Sequence, residues 1–211
     1  MTNEVRTVQP NGYPGGLVEA KADREGAAYV NDLHARYQAA VERGNVYGCA
    51  NQVGVTSQAG LSGTTPVLTL YNPAGSGVNL VLLYAAANFT VAFVTAGMVW
   101  LGVHAATSAG KAVTANGTVS ANTRNMKLAS STKVGQGLAL LAATAATPIA
   151  ICGLGVGLTG AITTVPAATM LERYFDGSVI LQPDSAVSIQ TGVASGASGT
   201  FCEYVWEEVG I

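Results

Sequence analysis

The chain has 211 residues, of which 49% are hydrophobic and only 10% charged, with a formal net charge of −2. That balance leaves no basic footprint for nucleic acid or for an anionic membrane surface. The three cysteines, Cys49, Cys152 and Cys202, are odd in number and widely spaced, which excludes a disulfide framework and a closely spaced zinc site.

The first sixteen residues, MTNEVRTVQPNGYPGG, are polar and rich in Pro and Gly. They lack the basic and apolar regions of a secretory signal and read as an extended arm. From Glu19 to Arg43 the apolar residues Ala27, Val30, Leu33, Tyr37, Ala40 and Val41 recur at helical spacing, with Asp23, Glu25, Asp32, Arg36 and Glu42 on other faces. This predicts an amphipathic helix, at least over its second half, and Gly44 supplies its stop. Residues 1–45 are therefore assigned to an arm and helix, and residues 46–211 to one further domain.

From Gly44 to Leu171 there is no Asp or Glu, and the only basic residues are Lys111, Arg124, Lys127 and Lys133. A domain in water carries about 25% charged residues, so much of this surface is expected to be covered by lipid or by protein. Here the periodicity shortens. Pro66–Asn72 and Val78–Ala85 flank Pro73-Ala-Gly-Ser-Gly77, turn chemistry between two strand-like runs. Further apolar runs lie at Phe89–Thr95, Met98–Val103, Leu138–Leu141 and Pro148–Cys152. Residues 106–136 are a long stretch of Ser, Thr, Asn and Gly that holds all four of those cations, and they read as a surface excursion. Ser178–Leu181 and Val187–Thr191 flank Gln182-Pro-Asp-Ser185, a hairpin signal. In Thr200–Val209, Cys202, Tyr204 and Trp206 fall on one face and Phe201, Glu203, Val205 and Glu207 on the other. Eight or so short strands of this kind predict an all-β sandwich.

Leu80–Val103 and Gly137–Val165 are long enough to span a bilayer. However, Asn88, Thr90 and Thr95 interrupt the first and Thr144, Thr147, Pro148 and Thr159 the second, and neither has a basic flank to orient it. Protein neighbours are the better cover, with a two-span membrane protein as the rival.

Motifs for chemistry are weak. Gly155-Val-Gly157-Leu-Thr-Gly160 has the spacing of a dinucleotide fingerprint, but β-branched residues and Pro166 follow where a helix is required. His34 and His104 have no acid or Cys at ligand spacing, and the cysteines read as buried free thiols. Glu203, Glu207 and Glu208 are read as a solvated strand edge, with Glu203 and Glu207 on one face, rather than as a carboxylate pair. No catalytic, cofactor-binding or metal-ligating residue is assigned, and no cofactor is expected.

Three stretches carry a family resemblance: Ala35–Asn45 (ARYQAAVERGN), Leu70–Leu83 (LYNPAGSGVNLVLL), and Gly177–Gln190 (GSVILQPDSAVSIQ) with Val205-Trp-Glu-Glu208. With the charge-poor, Ala/Gly/Thr-rich middle, they resemble the jelly-roll head decoration, or cement, proteins of tailed bacteriophages. This chain departs from them in its longer N-terminal arm and helix. The resemblance implies a jelly-roll-like sandwich, a homotrimer, and the major capsid protein as partner on the outer face of the virion shell. It implies neither nucleic acid nor membrane as partner. A tail, fibre or receptor-binding component of a virion is the alternative.

Overall fold

The computed structural model describes residues 36–91, 93, 95–106, 110–120, 122–128, 133–157, 169–195 and 199–211. The predicted arm and the first part of the predicted helix lie outside the described residues. What is described of the helix is α1, Gln38–Glu42. It ends as expected at Gly44, which has φ 70°. Gly44 N–H donates to Val41 O (2.9 Å) and Asn45 N–H to Ala40 O (3.1 Å). These are the two bonds of a Schellman motif, which needs the left-handed residue that glycine supplies without strain.

The rest is strand. Eight long or central strands are β1 (Val46–Ala50), β2 (Thr69–Asn72), β3 (Val78–Phe89), β4 (Gly97–Ala105), β10 (Ile149–Gly157), β11 (Thr169–Leu181), β12 (Ser185–Thr191) and β13 (Thr200–Gly210). Between β4 and β10 the chain inserts five short ones: β5 (Val113–Ala115), β6 (Thr118–Val119), β7 (Arg124–Asn125), β8 (Leu138–Leu141) and β9 (Thr144–Ala145). One sheet runs β11-β3-β13-β1-β7 and the other β10-β4-β12-β2-β8-β6, with all pairs antiparallel. Among the eight main strands, β1 pairs β13, β2 pairs β12, β3 pairs β11 and β4 pairs β10. First meets last and the pairing nests inward, which is the topology of a jelly roll.

This topology corrects two local readings. The turns at 73–77 and 182–184 are present, but neither closes a hairpin. Each joins a strand of one sheet to a strand of the other, β2 to β3 and β11 to β12. Turn residues and period-2 alternation are the same for a hairpin and for such an arch. Asn72, fully buried, ties the two arches together. Its Nδ2 donates to Val78 O (2.8 Å) and Leu181 O (2.9 Å), while Asp184 N–H donates to Asn72 O (2.8 Å). The run Phe89–Thr95 is not a strand either. Phe89 ends β3, and the residues after it cross to the other sheet.

The core lies between the sheets, around Leu80, Leu82, Phe89, Leu101, Val187, Tyr204 and Trp206. The alternation predicted for β13 holds: Cys202, Tyr204 and Trp206 are buried, while Phe201, Glu203, Val205 and Glu207 are half-exposed. The polar stretch 106–136 is more than an excursion. Its Ala112 and Val113 pack with Tyr71, Leu140, Ala143, Ala145 and Ala186 into a second apolar cluster. This covers part of the outer face of the six-stranded sheet, so both faces of that sheet are buried there. The insertion's cations do not stay scattered. Lys127 Nζ donates to Glu42 O (2.8 Å) and Lys133 Nζ to Asn45 Oδ1 (2.5 Å), placing both at the C-terminal end of α1, where carbonyls attract cations.

Candidate interaction surface

The polar groups most suggestive of chemistry are buried under the insertion. On the outer face of the six-stranded sheet, His104 Nδ1–H donates to Ala146 O (2.6 Å), and Ser188 Oγ–H donates to His104 Nε2 (2.7 Å). Gln190 Nε2 donates to Ser188 Oγ (2.6 Å), and Ser62 N–H donates to Gln190 Oε1 (3.1 Å). A carbonyl only accepts, so these partners assign the neutral Nδ1–H tautomer. A serine hydrogen-bonded to histidine is the start of a nucleophile, but His104 and Ser188 are both 0% exposed. No substrate reaches them. The chain of bonds satisfies polar groups that the insertion has sealed from water.

Burial lowers the His104 pKa, partly opposed by the bond to Ala146 O. The fold therefore binds this proton less readily than the unfolded chain, where histidine titrates near 6.5. Below that pH the unfolded state takes up a proton that the fold does not. Stability is then expected to fall as pH drops from about 7.5 to about 5.5, by at most about 1.4 kcal/mol per pH unit. Urea unfolding across that range measures it. His104→Asn is expected to be less stable at neutral pH but to have a flatter slope, and an unchanged slope assigns the effect to other groups.

Glu208 was expected on a solvated edge, and it is not there. It is buried, and its Oε1 accepts from Gln136 N–H and Gly137 N–H (2.8 Å each) and from Trp206 Nε1–H (3.4 Å). It pins the returning insertion to the end of β13. Glu203 and Glu207 are on the wet face, as their spacing indicates. Of the fingerprint glycines, Gly155 and Gly157 lie in edge strand β10, and Gly160 is outside the described residues. A Cβ at Gly155 would lie 2.8 Å from Leu171 Cδ2, and one at Gly157 2.5 Å from Phe93 Cε2. These glycines let the sandwich close. The cysteines are free, Cys49 and Cys202 buried, and burial pushes the Cys202 thiol far up. Among the described residues no group of three or more His, Cys, Asp or Glu is placed to hold a metal ion.

Two clefts open on the surface. One, of about 280 Å³, is lined by Asn51, Val53, Val55, Pro66, Asn122 and Leu141 among others, with no ionisable side chain in its wall. The other, of about 390 Å³, lies beside Tyr47, Ser120, Arg124, Asn125 and Lys133. Neither wall combines a nucleophile with a base.

What the surface does present is apolar side chains on strands. The two strands that end the sheets, β10 and β11, lie on the same flank of the sandwich, where Arg173 Nη1 donates to Gly153 O (3.2 Å). On β10 and its neighbour β4, Ile149, Ile151, Val156 and Met98 are exposed, and on β11 Met170, Tyr174 and Ile180 are. Their exposures run from 42% for Met98 and Val156 to 70% for Ile149. Neither β4 nor β10 contains a charged residue. From β11 the surface continues onto the outer face of the five-stranded sheet. There the rings of Tyr84 and Tyr174 pack at 5.0 Å, and Tyr84 Oη–H donates to Glu172 Oε2 (2.9 Å). Burial and this carboxylate, with Glu203 across the sheet, push the Tyr84 pKa well up.

The sequence anticipates a charge-poor surface but not its place, because sheet order decides which strands lie at the flank. The signal it does contain is the absence of alternation in IAICGLGVG, where apolar residues occupy both faces. The segments Leu80–Val103 and Gly137–Val165 are strands and connections wherever they are described. Among the described residues no helix is long and apolar enough to cross a membrane. Comparison with protein-family models, curated proteins and solved structures finds no match for this chain.

Proposed function

We propose that this chain is a non-enzymatic structural protein of a tailed-bacteriophage virion, a decoration or cement protein that binds the head shell as a homo-oligomer, most simply a trimer. The observation that carries this reading is the jelly roll with an uncharged, apolar flank left open on β4 and β10. The resemblance noted in the sequence leads one to expect the fold, and the flank answers the question raised by the acid-free stretch. Such a surface needs a protein cover to stay in solution. The polar constellations found inside the fold are sealed, which leaves recognition by surface packing as its use. Cementing a shell asks for no chemistry: many modest contacts repeated by symmetry resist outward pressure.

The test is binding to phage head shells that lack a decoration protein, read by co-sedimentation and by the temperature at which the shells rupture. Saturable binding at a fixed ratio to the major capsid protein, with a raised rupture temperature, is the expected result. Absence of binding to heads, with binding to tails or fibres instead, would move the protein elsewhere in the virion.

A further inference from the structure

We infer that the flank formed by β10, β4 and β11 is where copies of this chain meet, and that they meet by packing side chains rather than by extending a sheet. The inference rests on the proposed structural role and names the surface that makes the oligomer.

Size is the first argument. Seven large apolar side chains, Met98, Ile149, Ile151, Val156, Met170, Tyr174 and Ile180, stand 42–70% exposed on two adjoining edge strands and the strand beside one of them. At about 170 Å² for a full side chain of this kind, they present roughly 600 Å² of apolar surface. The largest patch on a typical monomer is about 300–600 Å², and a standard interface buries about 800 Å² on each partner. The flank is at the top of the first range and supplies most of the second.

Charge is the second argument. A protein partner of a different kind is usually steered by complementary charge, whereas β4 and β10 offer it none. A second copy brings an equally uncharged surface, so nothing ionised has to be stripped of water on contact. The charges of β11 are compatible with this. Glu172 is tied to Tyr84, and Arg173 turns back to Gly153 O and lies over the Phe175 ring.

The backbone of both edges argues against strand-to-strand addition. The pairing of β10 with β4 shifts register twice, between Ala150 and Cys152 and between Gly153 and Gly155. The pairing of β11 with β3 is interrupted between Tyr174 and Val179, where Asp176 and Gly177 have positive φ. Such bulges twist an edge out of line and are a common device against edge-to-edge pairing. The ladder is blunted while the side chains beside it stay apolar, which suits a face-packed contact.

The experiment is sedimentation velocity on the full chain without shells, comparing wild type, the double variant Ile151→Glu with Val156→Glu, Met170→Glu, and Val119→Glu as a control on exposed strand β6. Wild type and the control are expected to sediment as one oligomer. The two flank variants are expected to sediment mainly as the 21.3 kDa monomer, with dissociation constants raised at least 100-fold. Unchanged circular dichroism and melting temperature would show that the flank variants still fold. A monomeric wild type overturns the inference, and so does an oligomer that survives both flank variants. Flotation with phosphatidylcholine vesicles is the third arm, and a wild type that is monomeric alone but floats with vesicles would assign the flank to lipid. A monomer that still decorates shells defeats this inference alone. A flank-dependent oligomer that ignores shells defeats only the proposed function.

Discussion

Replacing Trp206 with alanine is expected to destabilise the sandwich by about 3–5 kcal/mol, the range for deleting a buried aromatic ring. Trp206 is 0% exposed in the middle of the core. Its ring stacks on Tyr47 with centroids 6.0 Å apart, and its Nε1–H donates to Glu208. The cavity cannot easily collapse, because the neighbours are held from both sides. Tyr47 sits on β1, which pairs with β13, and Gly137 is fixed against Glu208 by a backbone bond. Trp206→Phe keeps most of the apolar contact but withdraws one of the three donors that stabilise the buried carboxylate. It is expected to cost about 1–3 kcal/mol. Urea unfolding followed by circular dichroism measures both, with Trp100 remaining as a fluorescent reporter. If alanine costs no more than about 1 kcal/mol, the insertion closes over the gap and is more pliable than its hydrogen bonds indicate.

The parts of this fold that were legible in sequence are those set by neighbours along the chain. The alternation of Thr200–Val209 is the pleat of β13, and Leu138–Leu141 is β8 to the residue. The glycine stop after Glu42 is a bonded cap. What was not legible depends on which strand lies beside which. The two turns read as hairpin signals are arches between sheets, and no residue within either turn distinguishes the two cases. Residues 106–136 look like an exposed loop because small polar side chains dominate them. Two apolar residues, Ala112 and Val113, are enough to seat them on a sheet whose outer face is itself unusual. That face carries Thr69, His104, Ser188 and Gln190, all buried. A strand buried on both faces should read as continuously apolar, so polar residues there looked like evidence of exposure. The hydrogen-bond chain through His104 removes that contradiction.

The same reasoning explains the interaction surface. The lack of acids from Gly44 to Leu171 requires cover of some kind, and the fold divides that cover in two. The insertion shields part of the six-stranded sheet from within the chain, and the flank at β10 and β11 is what it leaves open. Composition reports the sum of these two terms and cannot apportion them. Glu208 illustrates the converse error. Beside Glu207 at the end of a strand it looks like part of a solvated pair, yet three donors and the ring of Trp206 make burial tolerable for one carboxylate and not for its neighbour.

Asn72→Asp provides the sharpest test of how the two arches are held, because it changes almost no volume. The native amide donates to Val78 O and Leu181 O, one carbonyl from each sheet crossing, at a site with no exposure. Aspartate at neutral pH has no donor and would set a negative charge against both carbonyl oxygens. Losing two buried bonds costs about 1–3 kcal/mol each, and an unpaired buried charge costs more. A loss of roughly 4 kcal/mol or more is therefore expected, larger than for Asn72→Ala, which removes the donors without adding charge. The pH dependence separates the two contributions. In the fold the aspartate carboxyl is held neutral by its surroundings to a higher pH than in the unfolded chain, so the folded state binds the extra proton. The variant should accordingly regain stability as pH is lowered towards that raised value, where the protonated acid again donates to one carbonyl. Asn72→Ala should show no such recovery. Parallel urea titrations of the two variants between about pH 4 and pH 8 decide it, each compared with wild type to remove the contribution of His104. If Asn72→Asp were as stable as wild type at every pH, the arches would have to be held by their own turns, with the amide a bystander.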